Sequence, residues 1–423
     1  MIFLASKSSD VALRMYFLGR GFAAVSLFHG RVLHNRTVLA ISFAVFAVYT
    51  GLGMVNTVRV LYVQSHGASL TLISTMTSIY LVAIILFQYP ISWSADHWGR
   101  KPVIVVSLLM QAAISALYVV VTNPVGFVLL RFLEGVAAAG VLPAARALIA
   151  DTVPIEQRGE AYGLFTAFFN TGFLIGPGIG GLLATFNYAA VFLAAVFMRL
   201  IAATLVILLI PFVPPKIEVR PSIAPIISYK RLFVLPLLGA YLIAAGNYVY
   251  AGFENTLMPL WMHDHLGASI AIIGLAYTAW ALPTMFLSPL GGRLADQKQR
   301  SMLILLFGLA QVPLYFTYGF ANSAFLVVVL YAIHGTLYAF LQPALDTHIA
   351  SASESSLRAR IQGIYATSTS IGSLVGASAL TPLYALNFRL PLFTIGAGYG
   401  CCLLIGYTLI HLSERRNKRS DIL

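Results

Sequence analysis

Charged side chains are scarce in this chain. Lys, Arg, Asp and Glu make up 9% of the 423 residues, whereas apolar residues make up 59%. Soluble domains usually contain about 25% charged residues, so a surface built from this composition would not be stable in water. A water-soluble globular domain is therefore excluded, and the chain is predicted to lie in a membrane.

Several chemical signatures are missing as well. The two cysteines, Cys401 and Cys402, are adjacent and therefore poorly placed for an unstrained disulfide. The chain has no phosphate-binding G-x-x-x-x-G-K-[ST] motif, so transport would be secondary or driven by a separate subunit. No nucleophile and base stand together, and the run His263-Asp264-His265 lacks a further ligand nearby in sequence. We therefore predict no enzyme activity, no cofactor and no metal.

The chain consists instead of long apolar runs. A helix rises about 1.5 Å per residue, so roughly twenty apolar residues cross a ~30 Å hydrocarbon core. Runs such as Leu205–Ile210 show no alternation of polarity, which excludes a membrane β-barrel. Twelve helical spans are predicted, at Val38–Tyr62, Ser69–Ser92, Pro102–Val121, Val125–Ala150, Tyr162–Phe186, Ala189–Val213, Leu232–Met258, Ile270–Leu290, Met302–Phe320, Ala324–Leu345, Ile361–Ala385 and Pro391–Leu412.

An internal repeat divides the spans into two halves. Shifting the sequence by 200 positions aligns Gly135 with Gly335 and Pro143 with Pro343, and the register holds from the second span to the fifth. Because each half has six spans, the copies are parallel repeats, with the substrate path between them. The predicted fold is an all-α membrane protein of two pseudo-symmetric six-helix bundles. Its predicted segments are 1–36, 37–213 (first bundle), 214–231 (linker), 232–412 (second bundle) and 413–423.

The basic residues follow the connections between spans. If residues 1–36 are cytoplasmic, the connections on that side hold all but five of the 26 Lys and Arg. The five are Arg389 on the opposite side and Arg59, Arg131, Arg146 and Arg199 within spans. This asymmetry follows the positive-inside rule, so both termini are predicted to be cytoplasmic in a multi-pass protein of the cell (inner) membrane. Residues 1–36 do not read as a signal peptide and are either an interfacial amphipathic segment or a disordered start.

The connections after the second and eighth spans resemble the G-x-L-A-D-r-x-G-R-r signature of the major facilitator superfamily. Ser92 and Gln299 stand where the family has glycine. An acid at the C-terminal end of a helix opposes the helix dipole, so Asp96 is predicted to need a compensating partner across the two bundles. A simple anchoring role for the basic residues is the alternative. The predicted gating residues are Asp96, Gly99, Arg100, Lys101, Asp296 and Arg300.

Two further patterns resemble this family. Arg131 and Glu134 in the fourth span fit R-x-x-Q-G with Glu in place of Gln, and their spacing places them on one helix face. The fifth span matches the pattern of antiporting members, although tight helix packing is a plainer explanation of its glycines. The matching residues are Gly163, Gly172, Gly176, Pro177, Gly180 and Gly181.

The resemblance covers about Thr37–Leu412 and implies the major facilitator fold, with alternating access by rocking of two bundles. It implies proton-coupled efflux of a small amphipathic or apolar organic compound, as in the drug:proton antiporter branch. Efflux of a sugar, metabolite or lipid, or a receptor without flux, are the alternatives. The implied partners are a small-molecule substrate, protons and membrane lipid, with no nucleic acid, and the chain is expected to be a monomer.

The polar residues within spans provide the candidates for the transport site. Glu134 is predicted to carry the exchanged proton, with Arg131 setting its proton affinity. His334 occupies the equivalent position of the repeat, so the two are predicted to face the cavity from opposite sides. Glu254 is the rival carboxylate, and a structural Arg131–Glu134 ion pair is the alternative. The cavity candidates are Asn56, Gln111, Asn170, Asn247 and Gln342.

Overall fold

The computed structural model describes residues 35–154, 157–212, 232–297, 300–353 and 357–420. Within these ranges the chain is helical and contains no strand. Eleven helical segments are long and apolar enough to cross a membrane. The predicted linker and almost all of the predicted N-terminal segment lie outside the described residues, and so does Gln299. The predicted all-α membrane fold is confirmed.

Fourteen helices make up the described part of the chain. Asparagine or serine side chains accept hydrogen bonds from the first backbone N–H groups of several, for example Asn35 before the first and Ser69 before the second. The helices are α1 Arg36–Ser65, α2 Leu70–Trp98, α3 Arg100–Val120, α4 Pro124–Thr152, α5 Arg158–Ala184, α6 Tyr188–Leu209, α7 Leu235–Glu254, α8 Met258–Leu266, α9 Ile270–Gln297, α10 Arg300–Phe320, α11 Ala324–Ala352, α12 Arg358–Ser378, α13 Thr381–Leu386 and α14 Leu390–Ser420.

One of the predicted spans is broken in the structure. The eleventh is divided into α12 and α13, whereas the seventh ends as one helix at Glu254, and the short helix α8 begins at Met258, where that span was predicted to end. Both short helices have a proline in their first turn, Pro259 in α8 and Pro382 in α13. Proline has no backbone N–H and fits the first turn of a helix better than its interior. Apolar composition predicts the length of a span, but it does not show this break.

The two halves pack in the same way. In the first half α1 lies against α5 and α6, and α2 lies against α4. In the second half α7 lies against α12 and α14, and α9 lies against α11. These pairs occupy equivalent places in the repeat, so the repeat found in the sequence is also a repeat in packing.

The halves are joined at one end of the molecule, which we call the sealed face. There Gln64 Nε2 donates to Asp264 Oδ2 over 2.9 Å, and these two residues are themselves repeat equivalents. Ser74 Oγ in α2 donates to a carbonyl oxygen of α12 over 2.6 Å. Thr278 Oγ1 in α9 donates to a carbonyl oxygen of α5 over 3.2 Å. We call the other end, which carries the signature loops, the basic face.

Candidate transport site

A cavity of about 300 Å³ lies between the two halves. Most of its wall comes from α7, α9 and α11 of the second half, with α1 and α5 completing it. Glu254 is the one carboxylate among the lining residues, and His334 lines the cavity as well. Six aromatic side chains share this wall: Phe173, Tyr248, Tyr250, Tyr277, Trp280 and Tyr338. The site is therefore mainly aromatic, with one acidic group.

Two of the five predicted cavity residues line the cavity, Asn56 and Asn247. The other three are not among the residues that line this cavity. Gln111 is buried inside the first half, where its Nε2 donates to a carbonyl oxygen of α4 over 3.3 Å and its Oε1 accepts from Arg199 over 3.4 Å. Asn170 is exposed on α5. Polarity within a span does not distinguish a cavity-facing residue from one that links neighbouring helices.

The third of these residues, Gln342, belongs to a separate polar group in the second half. Its Nε2 atom lies 2.9 Å from Asp346 Oδ1 and 2.9 Å from the Tyr365 hydroxyl. Asp346 lies within α11 and is a carboxylate that the sequence analysis did not single out. Its four-residue spacing from Gln342 was a local signal that could have found this contact.

Asn247 connects the cavity to the interior of the second half. Its Nδ2 donates to Gln311 Oε1 over 2.7 Å, and the Tyr315 hydroxyl donates to the same oxygen over 3.2 Å. The Tyr315 oxygen also lies 3.5 Å from Nε2 of His334. His334 is 3% exposed, and its ring centroid lies 4.7 Å from that of Tyr250. His334 therefore belongs to a network of uncharged polar groups and aromatic rings.

Glu134 belongs to a cluster of charged groups inside the first half. Its Oε2 accepts from Arg131 Nη1 over 2.8 Å, as the three-residue spacing predicts. Its two oxygens also accept from Nη1 of Arg59 in α1, over 3.2 and 3.1 Å. Glu134 is 4% exposed and is not among the residues that line the cavity. The prediction that it faces the cavity opposite His334 was wrong, because the two arginines hold its carboxylate within the bundle.

The sequence did not indicate the role of two further arginines in this cluster. Arg59 also donates to Oδ1 of Asn56, which links the cluster to the cavity wall. Arg199 in α6 is fully buried. Both arginines lie within predicted spans, and this position indicates a buried partner without identifying it. The guanidinium of Arg131 lies 3.6 Å from the ring centroid of Tyr80, a cation–π contact that completes the group.

The glycine pattern of α5 provides close contact with two neighbouring helices. A Cβ atom added at Gly176 would lie 2.6 Å from the carbonyl oxygen of Thr50 in α1. One added at Gly172 would lie 2.7 Å from the Phe46 oxygen, also in α1. Gly180 approaches α1 as well, whereas Gly181 faces α9 of the other half. Five residues of the pattern, Pro177 among them, thus lie where helices meet. Pro177 also lines the cavity.

Gly163 is the exception in this pattern. It is exposed, and a Cβ atom there would meet nothing within 4 Å. Its repeat equivalent, Gly363, is open in the same way. Nothing in the structure explains why either position is glycine.

The first signature loop has a compact structure at the basic face. Gly99 joins α2 to α3 with φ +96°, a conformation that favours glycine. Asp96 pairs with Arg100, whose Nε lies 3.3 Å from Oδ2 of Asp151 in α4. Lys101 donates to two carbonyl oxygens at the end of α6, over 2.8 and 2.6 Å, where a cation is favoured.

The second signature loop makes fewer contacts among the described residues. Asp296 is exposed at the end of α9, and Arg300 Nε donates to the Ala295 oxygen over 3.2 Å. The described partners of Asp96 belong to its own half. A partner for Asp96 across the bundles stays a prediction.

Comparison with known proteins identifies the family. The family model of the Major Facilitator Superfamily matches residues 41–256 and 242–422. Quinolone resistance protein NorA of Staphylococcus aureus (strain MSSA476) is 22% identical over 366 residues, which cover 85% of this chain and 92% of that relative. Multidrug resistance protein 2 of Bacillus subtilis (strain 168) is 25% identical over 396 residues, which cover 88% and 94% of the two chains.

Solved structures share the fold. A bacterial homologue of the human lysosomal transporter Spinster, in an inward-facing and occupied conformation, superposes with a TM-score of 0.69 at 16% identity, covering 89% of this chain and 96% of that one. The nucleoside transporter NupG gives a TM-score of 0.67 at 14% identity, with 89% and 99% covered. This chain is a multi-pass membrane transporter, not an enzyme, and it belongs to the Major Facilitator Superfamily.

Proposed function

We propose that this chain exports small amphipathic or apolar organic compounds in exchange for protons. The aromatic cavity between the two halves carries this proposal, because aromatic side chains offer large apolar contact area to such compounds. The names of two relatives, a quinolone resistance protein and a multidrug resistance protein, support the same substrate class. Alternating access would expose the cavity first at one face and then at the other.

The basic face is proposed to be cytoplasmic. Positively charged connections favour that side of a membrane, and the basic residues cluster on the side of the signature loops. The contacts between the halves lie at the sealed face, as expected for a conformation that is closed to the outside. Compound would then enter the cavity from the cytoplasm or from the inner leaflet, and outward opening would require these contacts to break.

Within this proposal, Glu254 is the carboxylate that binds the exchanged proton. It lines the cavity, whereas Glu134 is enclosed by arginines. An ionised carboxylate in an apolar site is costly unless a cation neutralises it, so protonation or a bound cationic group would stabilise the site. Because Glu254 lines the cavity, it can bind either a proton or a cationic group of the compound. Glu134 and Arg131 then maintain the structure of the first half.

Counterflow in proteoliposomes tests the substrate class. A quinolone, an uncharged apolar dye and a sugar serve as probes, and we expect exchange of the quinolone or the dye. Exchange of the sugar alone would contradict the substrate class, and binding of a probe without flux would indicate a receptor. The purified protein without a membrane potential is sufficient for this assay.

An imposed pH gradient tests the coupling residue. Glu254→Gln is expected to abolish gradient-driven accumulation and to retain counterflow, because it cannot exchange a proton. Glu254→Asp is the matched control and should keep part of the pH dependence. Full gradient-driven accumulation by Glu254→Gln would place the proton site elsewhere.

A further inference from the structure

The charged cluster of the first half contains more positive charge than its protein contacts neutralise. Arg59, Arg131 and Arg199 are all charged at physiological pH, and each is at most 6% exposed. Among the described residues, Glu134 is the only acidic side chain in salt-bridge contact with any of them. One carboxylate among three guanidinium groups leaves an excess of two positive charges within a membrane-spanning bundle.

Two polar atoms in the same region lack a partner among the described residues. One is Nη1 of Arg199, whose Nε is bonded to Gln111. The other is the hydroxyl of Tyr118, which is 1% exposed and close to Arg59; arginine can only donate to this hydroxyl, so the hydroxyl hydrogen has no acceptor among the described residues. Both are hydrogen-bond donors, and buried donors are normally satisfied. An occupant of this place therefore has to accept hydrogen bonds.

In the second half the equivalent unpaired groups are neutral, so an occupant there does not need to be charged. Tyr318 and Tyr399, the repeat equivalents of Tyr118 and Arg199, are also buried and without a partner among the described residues. Tyr318 packs near His334 and Tyr399 packs against Tyr315. The positions equivalent to the three arginines hold no arginine. A water molecule can satisfy neutral donors of this kind. In the first half the arginines also leave positive charge without a counter-charge, and water offsets that charge only in part.

We infer that the cluster between α1, α3, α4 and α6 binds a small monovalent anion. Arg199 Nη1 and the Tyr118 hydroxyl are its donors, and the charges of Arg59 and Arg131 provide the attraction. A free halide and a small carboxylate share this chemistry. The cluster meets the cavity wall at Asn56, which lines the cavity and accepts a hydrogen bond from Arg59. The anion would lower the cost of burying three guanidinium groups.

Thermal unfolding of the full chain in detergent tests this site. The protein is prepared in gluconate, and chloride is added at constant ionic strength. We expect the Tm to rise with chloride concentration. At high chloride the rise should become logarithmic in concentration, as for a ligand that binds the folded state. Formate in place of chloride shows whether a carboxylate is also accepted. An equal effect of sulfate, or no effect of chloride, would overturn the inference.

Two variants and one matched control assign the response to the cluster. Arg199→Gln is expected to abolish the chloride effect. Tyr118→Phe should need about tenfold more chloride for the same shift, because one hydrogen bond to a charged group is worth roughly that factor in affinity. Tyr318→Phe removes the equivalent hydroxyl from the neutral half and should respond as the unaltered protein does. If Arg199→Gln does not fold, Tyr118→Phe still decides, since an unchanged chloride response there would contradict the proposed ligand set.

Discussion

The two halves share a packing pattern but fill equivalent positions with different chemistry. Positions 131, 134 and 199 hold Arg, Glu and Arg in the first half, where they form a buried charged cluster. The equivalent residues of the second half are Tyr331, His334 and Tyr399, which are buried among aromatic rings. The same helix arrangement therefore supports an ionic core and a neutral one.

This difference goes with a difference in the cavity wall. Eleven of the sixteen lining residues belong to the second half, including Glu254 and His334. The first half contributes five residues of α1 and α5, such as Gly53 and Pro177, and none of the five is charged. The first half thus keeps its charges away from the cavity, and the second half presents aromatic rings and a carboxylate to it. Substitutions at equivalent positions of the two halves would show whether this division holds.

The largest effect is expected from Glu134→Gln. Removal of the only described carboxylate of the charged cluster leaves buried guanidinium groups without their partner, and breaking a buried ion pair in this way costs about 3–5 kcal/mol. Thermal and denaturant unfolding in detergent would measure the loss. His334→Gln, the equivalent change in the neutral half, is expected to cost much less. Similar losses for the two variants would remove the distinction between the cores.

An intermediate effect is expected where α5 packs against α1. Gly176→Ala places a Cβ atom 2.6 Å from the Thr50 oxygen, so the helices must separate. Overpacking of this kind costs about 1–3 kcal/mol, and we expect lower coupled flux together with a proton leak. Gly376→Ala makes the equivalent change between α12 and α7, where the added atom would be at least as crowded. Proton leak and substrate flux are measured in the same vesicles.

Gly163→Ala is the matched control on α5. Its added Cβ atom meets nothing, and alanine is favoured over glycine within a helix. We therefore expect unchanged flux and equal or slightly higher stability. A loss of flux in this variant would show that the glycine pattern acts in a conformation with different contacts at this position.

Among the expected losses of stability, the smallest is that of Asp96→Asn. The Asp96 side chain is 59% exposed, and exposed ion pairs contribute about 0–1 kcal/mol. If Asp96 pairs across the bundles in the outward-open state, transport should fall although the protein remains folded. Double electron–electron resonance across the basic face would then show a larger inward-open fraction. Asp296→Asn is the comparison in the second half, and full transport by Asp96→Asn with unchanged distances would exclude the gating role.

Local features of the sequence predicted much of this structure. The apolar runs located the helices, because crossing a hydrocarbon core requires a certain helix length. The Arg131–Glu134 contact follows from a spacing of three residues on one helix. The repeat predicted that the halves would pack alike, and they do. The break before Pro382 was missed, since apolar residues lie on both sides of it.

By itself the sequence determined the membrane class, the helical spans, the two-fold repeat and the family resemblance, because each depends on composition, local spacing or register. Only the tertiary structure decided which polar residues face the cavity. Arg59 contacts Glu134 across 75 residues, and Gln64 contacts Asp264 across 200. No local pattern encodes such contacts, because the packing of the helices decides whether a polar side chain faces the cavity or the interior of its bundle.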